Sequence, residues 1–335
     1  MRTLLRDLGD WFFAPGDPRV AASLRIAFCS LFLFVLWDFA PYLDMLFGHR
    51  GLFGTMEPFP FDLRDFVFFL YRHDSPLELR LWFWATVAAA SFGVVGVGTR
   101  IMIPLTYLSM FFFRERGPFI TFGADLVMNC VGLWMLFLDS GRVWSVDAWL
   151  RRRRGVSPPA VVELWPARAI QIQIALIYLV TGLVKIHTQP WQDGSAVYYS
   201  LHVGNVLKGQ APSWVLGQRI ILVAMNYGTL AIELTAPFMF FYRPLRNWAF
   251  ISCAAMHTGI DALMSIRFFS MAMYMGFLAF LDRADWDRLA RLGARVAASL
   301  PLATGGLAAV TTDSVSRPPA DAAVTSSPSA SERSL

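Results

Sequence analysis

The 335-residue chain is 56% hydrophobic and only 16% charged, against roughly 25% charged residues in soluble domains. A soluble core of this length does not need so much apolar surface, and here it comes in long blocks with arginines at their ends, as bilayer spans do. The net charge of +5 gathers at those ends, as in Arg151–Arg154, so it reads as an orientation signal and no nucleic-acid partner is expected.

In chain order, Arg2 and Arg6 precede an apolar stretch in the manner of a signal peptide. That stretch runs on to about Tyr42 without a small-x-small cleavage site, and it reads as the first span. Apolar runs place spans near 22–43, 79–98, 101–114, 120–138, 167–187, 219–242, 247–264 and 267–282. The expected fold class is all-α: a polytopic integral membrane bundle of about eight transmembrane helices plus interfacial helices. Helices are expected because backbone polar groups in lipid must be satisfied locally. The segment GHRGLFGTMEPFPFDLRDFVFFLYRH mixes aromatics with charges and predicts a helix lying along the interface, as does DGSAVYYSLHVGNVL after Trp191. Residues 1–20 form a cytoplasmic N-terminal segment and 21–285 the transmembrane domain. A basic stretch and a Ser/Ala/Pro-rich tail, too poor in apolar residues to bury a core, fill 286–335.

Arginines at 2, 6, 19, 100, 142, 151–154, 243, 246 and from 283 onward fall on one side of this arrangement. The smaller set of Arg50, Arg64, Arg72, Arg114, Arg116 and Lys208 falls on the other. Both termini are therefore expected in the cytoplasm, in a bacterial cytoplasmic membrane, with membrane lipids as surroundings. Cys29, Cys130 and Cys253 lie in separate apolar runs without CxxC or His-rich spacing, so neither a metal site nor a disulfide framework is expected.

Ionisable residues inside spans are costly and mark sites. Gln171, Tyr178 and Lys185 are seven apart on the fifth span, and so share one helix face. Asn226 and Glu233 do the same on the sixth. Arg246, Cys253, His257 and Asp261 line one face of the seventh, and Asp125 and Asn129 are four apart on the fourth. Burying these stripes against one another predicts a polar cavity within the bundle. Lys185 ends an apolar run just before the Trp191 turn, in GLVKIHTQPWQDG. It either snorkels to the headgroups or serves chemistry. A partly buried amine with a neutral fraction can take a proton from a lipid-soluble acid such as a hydroquinone. Other readings stand beside this: His257 and Asp261 as a hydrogen-bonding pair, and Glu233 as the neutraliser of an arginine such as Arg246.

The stretch IYLVTGLVKIHTQPWQDGSAVYYSL resembles the signature of the horizontally transferred transmembrane domain (HTTM) family, whose members include the vitamin K-dependent gamma-glutamyl carboxylases. LFLDSGRVWSVDAWL at 136–150 and IELTAPFMFFYRPLRNWAFISCAAMHTGIDALMSIRFFSMAMY at 232–274 extend the resemblance over roughly residues 20–285. The resemblance implies a reduced quinone, vitamin K hydroquinone or menaquinol, as cofactor. It makes Lys185 the base that deprotonates the quinol, with His257 matching a histidine of the same domain. Asp125, Asn129, Tyr178, Trp191, Glu233, Arg246 and Asp261 are the expected supporting residues of the cavity. The sequence departs from the carboxylases at GADLVMN, where their Asn-His pair has no histidine counterpart. No counterpart is expected for their large extramembrane domain. The alternative function is a non-enzymatic membrane factor for maturation or export of a secreted peptide, and a secreted peptide or protein is the expected partner under either reading.

Overall fold

The computed structural model describes residues 2–48, 50–52, 75–116, 123–203 and 212–299. An amphipathic helix, α1 (Arg2–Phe13), opens the chain and exposes Leu5, Leu8 and Phe13. It stands where the sequence suggested only a cytoplasmic segment. The strand β1 (Pro15–Gly16) follows and pairs antiparallel with β2 (Val162–Glu163).

Helix α2 (Pro18–Phe39) is the most deeply buried. Pro18 at its first position and the Asp17 carboxylate, which accepts from the Arg19 amide at 2.8 Å, start it. A short helix α3 (Leu43–Phe47) follows. Helix α4 (Pro76–Val95) begins with a capping box, Ser75 accepting from the Glu78 amide at 3.2 Å, and stops at Gly96 in the left-handed region with φ of 73°. Next come α5 (Thr99–Arg116), α6 (Gly123–Met135) and α7 (Val146–Arg153). Then follow α8 (Trp165–Ile186), two short turns α9 (Gln189–Gln192) and α10 (Ala196–Ser200), and α11 (Ser213–Leu216). The series closes with α12 (Arg219–Met239), α13 (Arg243–Leu263), α14 (Phe269–Phe277) and α15 (Arg283–Ser299).

Each of the stretches expected to span the membrane carries a helix, and the class is all-α. Among the described residues, three helical segments are long and apolar enough to cross a bilayer: Pro18–Phe47, Trp165–Ile186 and Arg219–Met239. Phe269–Phe280 is apolar but shorter. One compact unit takes in Met1–Leu289, and its core packs α2 against α4, α8 against α12, and α14 against α6. A second unit takes in Ala290–Leu335, of which residues 290–299 continue α15. The Ser/Ala/Pro-rich tail, most of the aromatic segment between the first two spans, His49, His73 and Lys208 lie outside the described residues.

The WSVD stretch is a double capping device. Ser145 Oγ accepts from the Ala148 amide at 2.9 Å and starts α7. Asp147 accepts from the Gly98 and Thr99 amides at 2.8 and 2.9 Å, and from Thr99 Oγ1 at 3.0 Å, so it caps α5 across the fold. Burial acts to raise the Asp147 carboxyl, but the bonds from Thr99 and Gly98 outweigh it and hold the group below the usual carboxylate range. A depressed folded value stabilises above the unfolded value of about 4 and is lost as pH falls through the folded value. Asp147→Ala is therefore expected to cost about 1–2 kcal/mol in detergent at neutral pH. The deficit relative to wild type should shrink as the pH is lowered below about 4. Thermal unfolding at two pH values reads both effects.

Candidate functional site

The polar stripe of α8 finds its partners on three different elements. At the N-terminal end, buried Gln171 donates through Nε2 to the Ala279 carbonyl at 2.6 Å. In the middle, Tyr178 Oη and His257 Nε2 share a hydrogen bond of 2.7 Å between α8 and α13, both residues being 2% exposed. At the C-terminal end, Lys185 Nζ donates to Glu233 Oε1 of α12. The seven-residue spacing therefore did mark an inward face.

The single polar cavity expected from the sequence is divided in two. Phe240 lies 5.7 Å from Tyr178 and 5.7 Å from Phe277, and Phe250 lies 5.4 Å from Phe277, centroid to centroid. Aromatic packing of this kind fills the middle of the α8–α12–α13–α14 group and leaves a cavity toward each end. At the Lys185 end the cavity has a volume of about 360 Å³ and is lined by Lys185, Trp191, Met225, Ile232, Glu233 and Met256, with Leu201 and Leu263 closing it.

Three observations define the chemistry there. The Lys185 side chain keeps 26% of its exposure and that of Glu233 only 8%, so the amine faces the cavity from a half-buried position while the carboxylate sits behind it. Glu233 Oε2 is buried without a hydrogen-bond partner. Lys185 Nζ lies 5.0 Å from the Trp191 ring centroid, within cation–π reach. Trp191 is held in place by α12: Asn226 Nδ2 donates to the Trp191 carbonyl at 3.0 Å, and Tyr227 Oη donates to the Gln192 carbonyl at 2.8 Å. Gly194, with φ of 81°, lets the chain turn back after this loop. The turn that carries Trp191 after the lysine is thus a lid over the ion pair, fastened to the next long helix.

Close approach of α8 and α12 depends on Gly182. A Cβ there would meet Leu234 Cδ2 at 2.9 Å and Glu233 Cβ at 3.2 Å. Gly182→Val is expected to destabilise by about 1–3 kcal/mol by overpacking and to pull Glu233 off Lys185. Unfolding midpoint and ligand binding, measured on the same preparation, check the two effects.

The remaining expected site residues go elsewhere. His257 lies behind the wall, against Tyr178, Phe269 and Tyr274, with Nδ1 buried and unpartnered. Its hydrogen bond is to Tyr178 rather than to Asp261, because the ring points into the bundle. Asp261 is half-buried on α13 and does not line the Lys185 cavity. Asn129 Oδ1 accepts from Tyr107 Oη of α5 at 2.8 Å, which ties α6 to α5. Asp125 lies in the first turn of α6 and also does not line the cavity. Arg246 sits at the other end of α13, donating to the Phe280 carbonyl at 2.5 Å and pairing with Asp282 at 3.4 Å, so it is Lys185 and not Arg246 that neutralises Glu233.

Several working residues did not stand out in the sequence. Tyr227 carries no periodic signal, since its role depends on where residue 192 turns. Arg25 is fully buried in α2 and donates to the Trp144 carbonyl at 2.6 Å, locking the WSVD loop to the core. An arginine inside the apolar run SLRIAFCSLF was the available signal. Cys29, Cys130 and Cys253 are free thiols. Among the described residues no group of three or more His, Cys, Asp or Glu side chains could hold a metal ion.

The chain is 27% identical over 255 residues to the uncharacterized protein YitO of Bacillus subtilis (strain 168), an alignment covering 72% of this chain and 81% of that protein. No solved structure matches it. The family model of the HTTM domain matches residues 13–286. With the match running from the end of α1 to the start of α15, the chain belongs to the HTTM domain family.

Proposed function

We propose that this protein is a polytopic membrane enzyme that uses a reduced quinone, with Lys185 as the base. The supporting observation is the half-buried Lys185–Glu233 pair on the wall of an otherwise apolar cavity, with one carboxylate oxygen left unpaired. In this reading about eight helices cross a bacterial cytoplasmic membrane, with both termini in the cytoplasm. The shorter helices are accommodated by local thinning of the bilayer or by cover from their neighbours.

The residues fit a hydroquinone headgroup. A cavity of about 360 Å³ falls within the roughly 300–1,000 Å³ of small-molecule sites. Met225, Ile232, Met256 and Leu263 suit a flat apolar ring, and the partly exposed Lys185 amine is the polar group that faces it. Lys185, with the apolar wall of Met225, Ile232 and Met256, would hold a hydroquinone, which would supply the reducing equivalents for dioxygen. The protein's part is proton handling. Glu233 is the group placed to accept the proton from the Lys185 ammonium, which leaves a neutral pair and an amine able to act as base. Trp191 covers the amine and limits water at it. Tyr178 and His257, one layer in, set the packing behind Glu233 and touch no cavity ligand directly.

A second reading rests on the same ion pair: with Lys185 already engaged, the pair can serve as a clamp on a binding cavity of a factor that matures or exports a secreted peptide. The deciding experiment supplies membranes containing wild type or Lys185→Ala with menaquinol or vitamin K hydroquinone and oxygen, and measures epoxide by mass. Lysine-dependent epoxide supports the enzyme. None from folded wild type transfers the argument to the maturation factor.

A further inference from the structure

At the opposite end of α8 from Lys185 lies a larger cavity of about 510 Å³, which the function proposed above does not use. Its wall carries Arg168, Arg243, Arg246 and Arg283 against Asp17 and Asp282. Both acids are already engaged: Asp17 by Arg19 at 2.6 Å, and Asp282 by Arg243 and by Arg246. Arg168 is not. Its Nε is buried without a hydrogen-bond partner, Nη1 reaches only the Gln171 side-chain oxygen at 3.3 Å, and its guanidinium sits 5.3 Å from the Trp11 ring centroid. Among the described residues no carboxylate comes within ion-pair distance of it.

The backbone adds to the same field. The N-terminal ends of α2, α8, α13 and α15 all border this cavity, through Asp17, Leu164, Arg243 and Arg283. Helix N-termini carry partial positive charge, so several together favour an anion. The first amides of α2 and α15 are already capped by Asp17 and Asp282, which leaves the ends of α8 and α13 as the uncapped ones. The C-terminal end of α12 and the turn that follows α14 also reach the wall, and in that turn the Phe280 and Ala279 carbonyls are taken by Arg246 and Gln171. Trp11, Phe240, Phe241 and Leu281 supply an apolar side. An unpaired guanidinium in such a place is costly unless something neutralises it. A planar fork of donors matches a phosphate group in particular.

We propose that this cavity binds a phosphate-type anion through Arg168, carried either by a phospholipid headgroup of the adjacent leaflet or by a soluble phosphate compound.

The test uses the full chain purified in neutral detergent, with thermal unfolding followed by tryptophan fluorescence. Phosphatidylglycerol, phosphatidylcholine and inorganic phosphate are titrated separately, with chloride matching the ionic strength. Phosphatidylglycerol or phosphate is expected to raise the midpoint by about 2–5 °C at saturation, and phosphatidylcholine to leave it unchanged. A shift with phosphatidylglycerol alone assigns the site to lipid, and a shift with inorganic phosphate assigns it to a soluble anion. Arg168→Gln should weaken the apparent affinity at least about tenfold, while raising the midpoint without anion, because it removes an unpaired charge. Arg168→Lys should fall between, keeping the charge without the fork. Arg152→Gln, on the exposed arginine run of α7, should match wild type. The proposal is overturned by three results: no shift with either anion, a shift retained in Arg168→Gln, or an equal loss in Arg152→Gln, which would mean diffuse surface charge.

Discussion

Lys185→Ala is expected to lower lysine-dependent epoxide formation at least about a hundredfold, the lower end of what a positioned general base contributes. The geometry requires a loss of this size because no other basic side chain lines the cavity among the described residues. Glu233→Gln should act on the same step from the other side. It keeps the shape and the hydrogen bond but cannot accept the ammonium proton, so the transfer within the pair is lost. Glu233→Gln should therefore lose activity, but less than Lys185→Ala, which removes the base itself. A Glu233→Gln variant as active as wild type at all pH values would remove Glu233 from the proton path. His257→Gln should cost less than either, since His257 lies behind the wall, and its effect should follow stability rather than pH.

Glu233→Ala is expected to give the largest stability loss, about 3 kcal/mol, because it leaves the Lys185 ammonium in a half-buried site without a counter-charge. The partial exposure of Lys185 keeps the loss at the low end for a broken buried pair. Replacing both partners with apolar residues of similar size, Lys185→Met with Glu233→Leu, should return most of it, since two desolvated charges disappear together. The double-mutant cycle in detergent thus separates two meanings of the ion pair. Strong coupling with an inactive but stable double variant marks a pair retained for chemistry. Activity surviving in that double variant would show that neither charge is needed and would remove Lys185 as the base.

What the sequence determined by itself was the layer set by periodicity and composition. Apolar blocks of span length gave the helices, because in lipid the helix alone satisfies its own backbone within one segment. The seven-residue spacing of Gln171, Tyr178 and Lys185 gave the inward face of α8, since residues at that spacing stand above one another on a helix. Ser145 and Asp147 could be seen as polar residues at a boundary, and capping explains them. What only the tertiary structure decided was which stripes meet. Glu233 could have faced Arg246, and it faces Lys185 because Gly182 lets α8 and α12 approach closely at that level. His257 could have faced Asp261 or the cavity, but rotation of α13 turns it onto Tyr178. Asn129 belongs to α5 and α6 alone. Partner choice between helices depends on rotation, offset and the volume of the residues between them, and a helical period leaves all three free. For the same reason the Arg168 cavity was invisible in the sequence: it is built from four helix ends far apart in the chain, brought together by the packing of the aromatic layer between the two cavities.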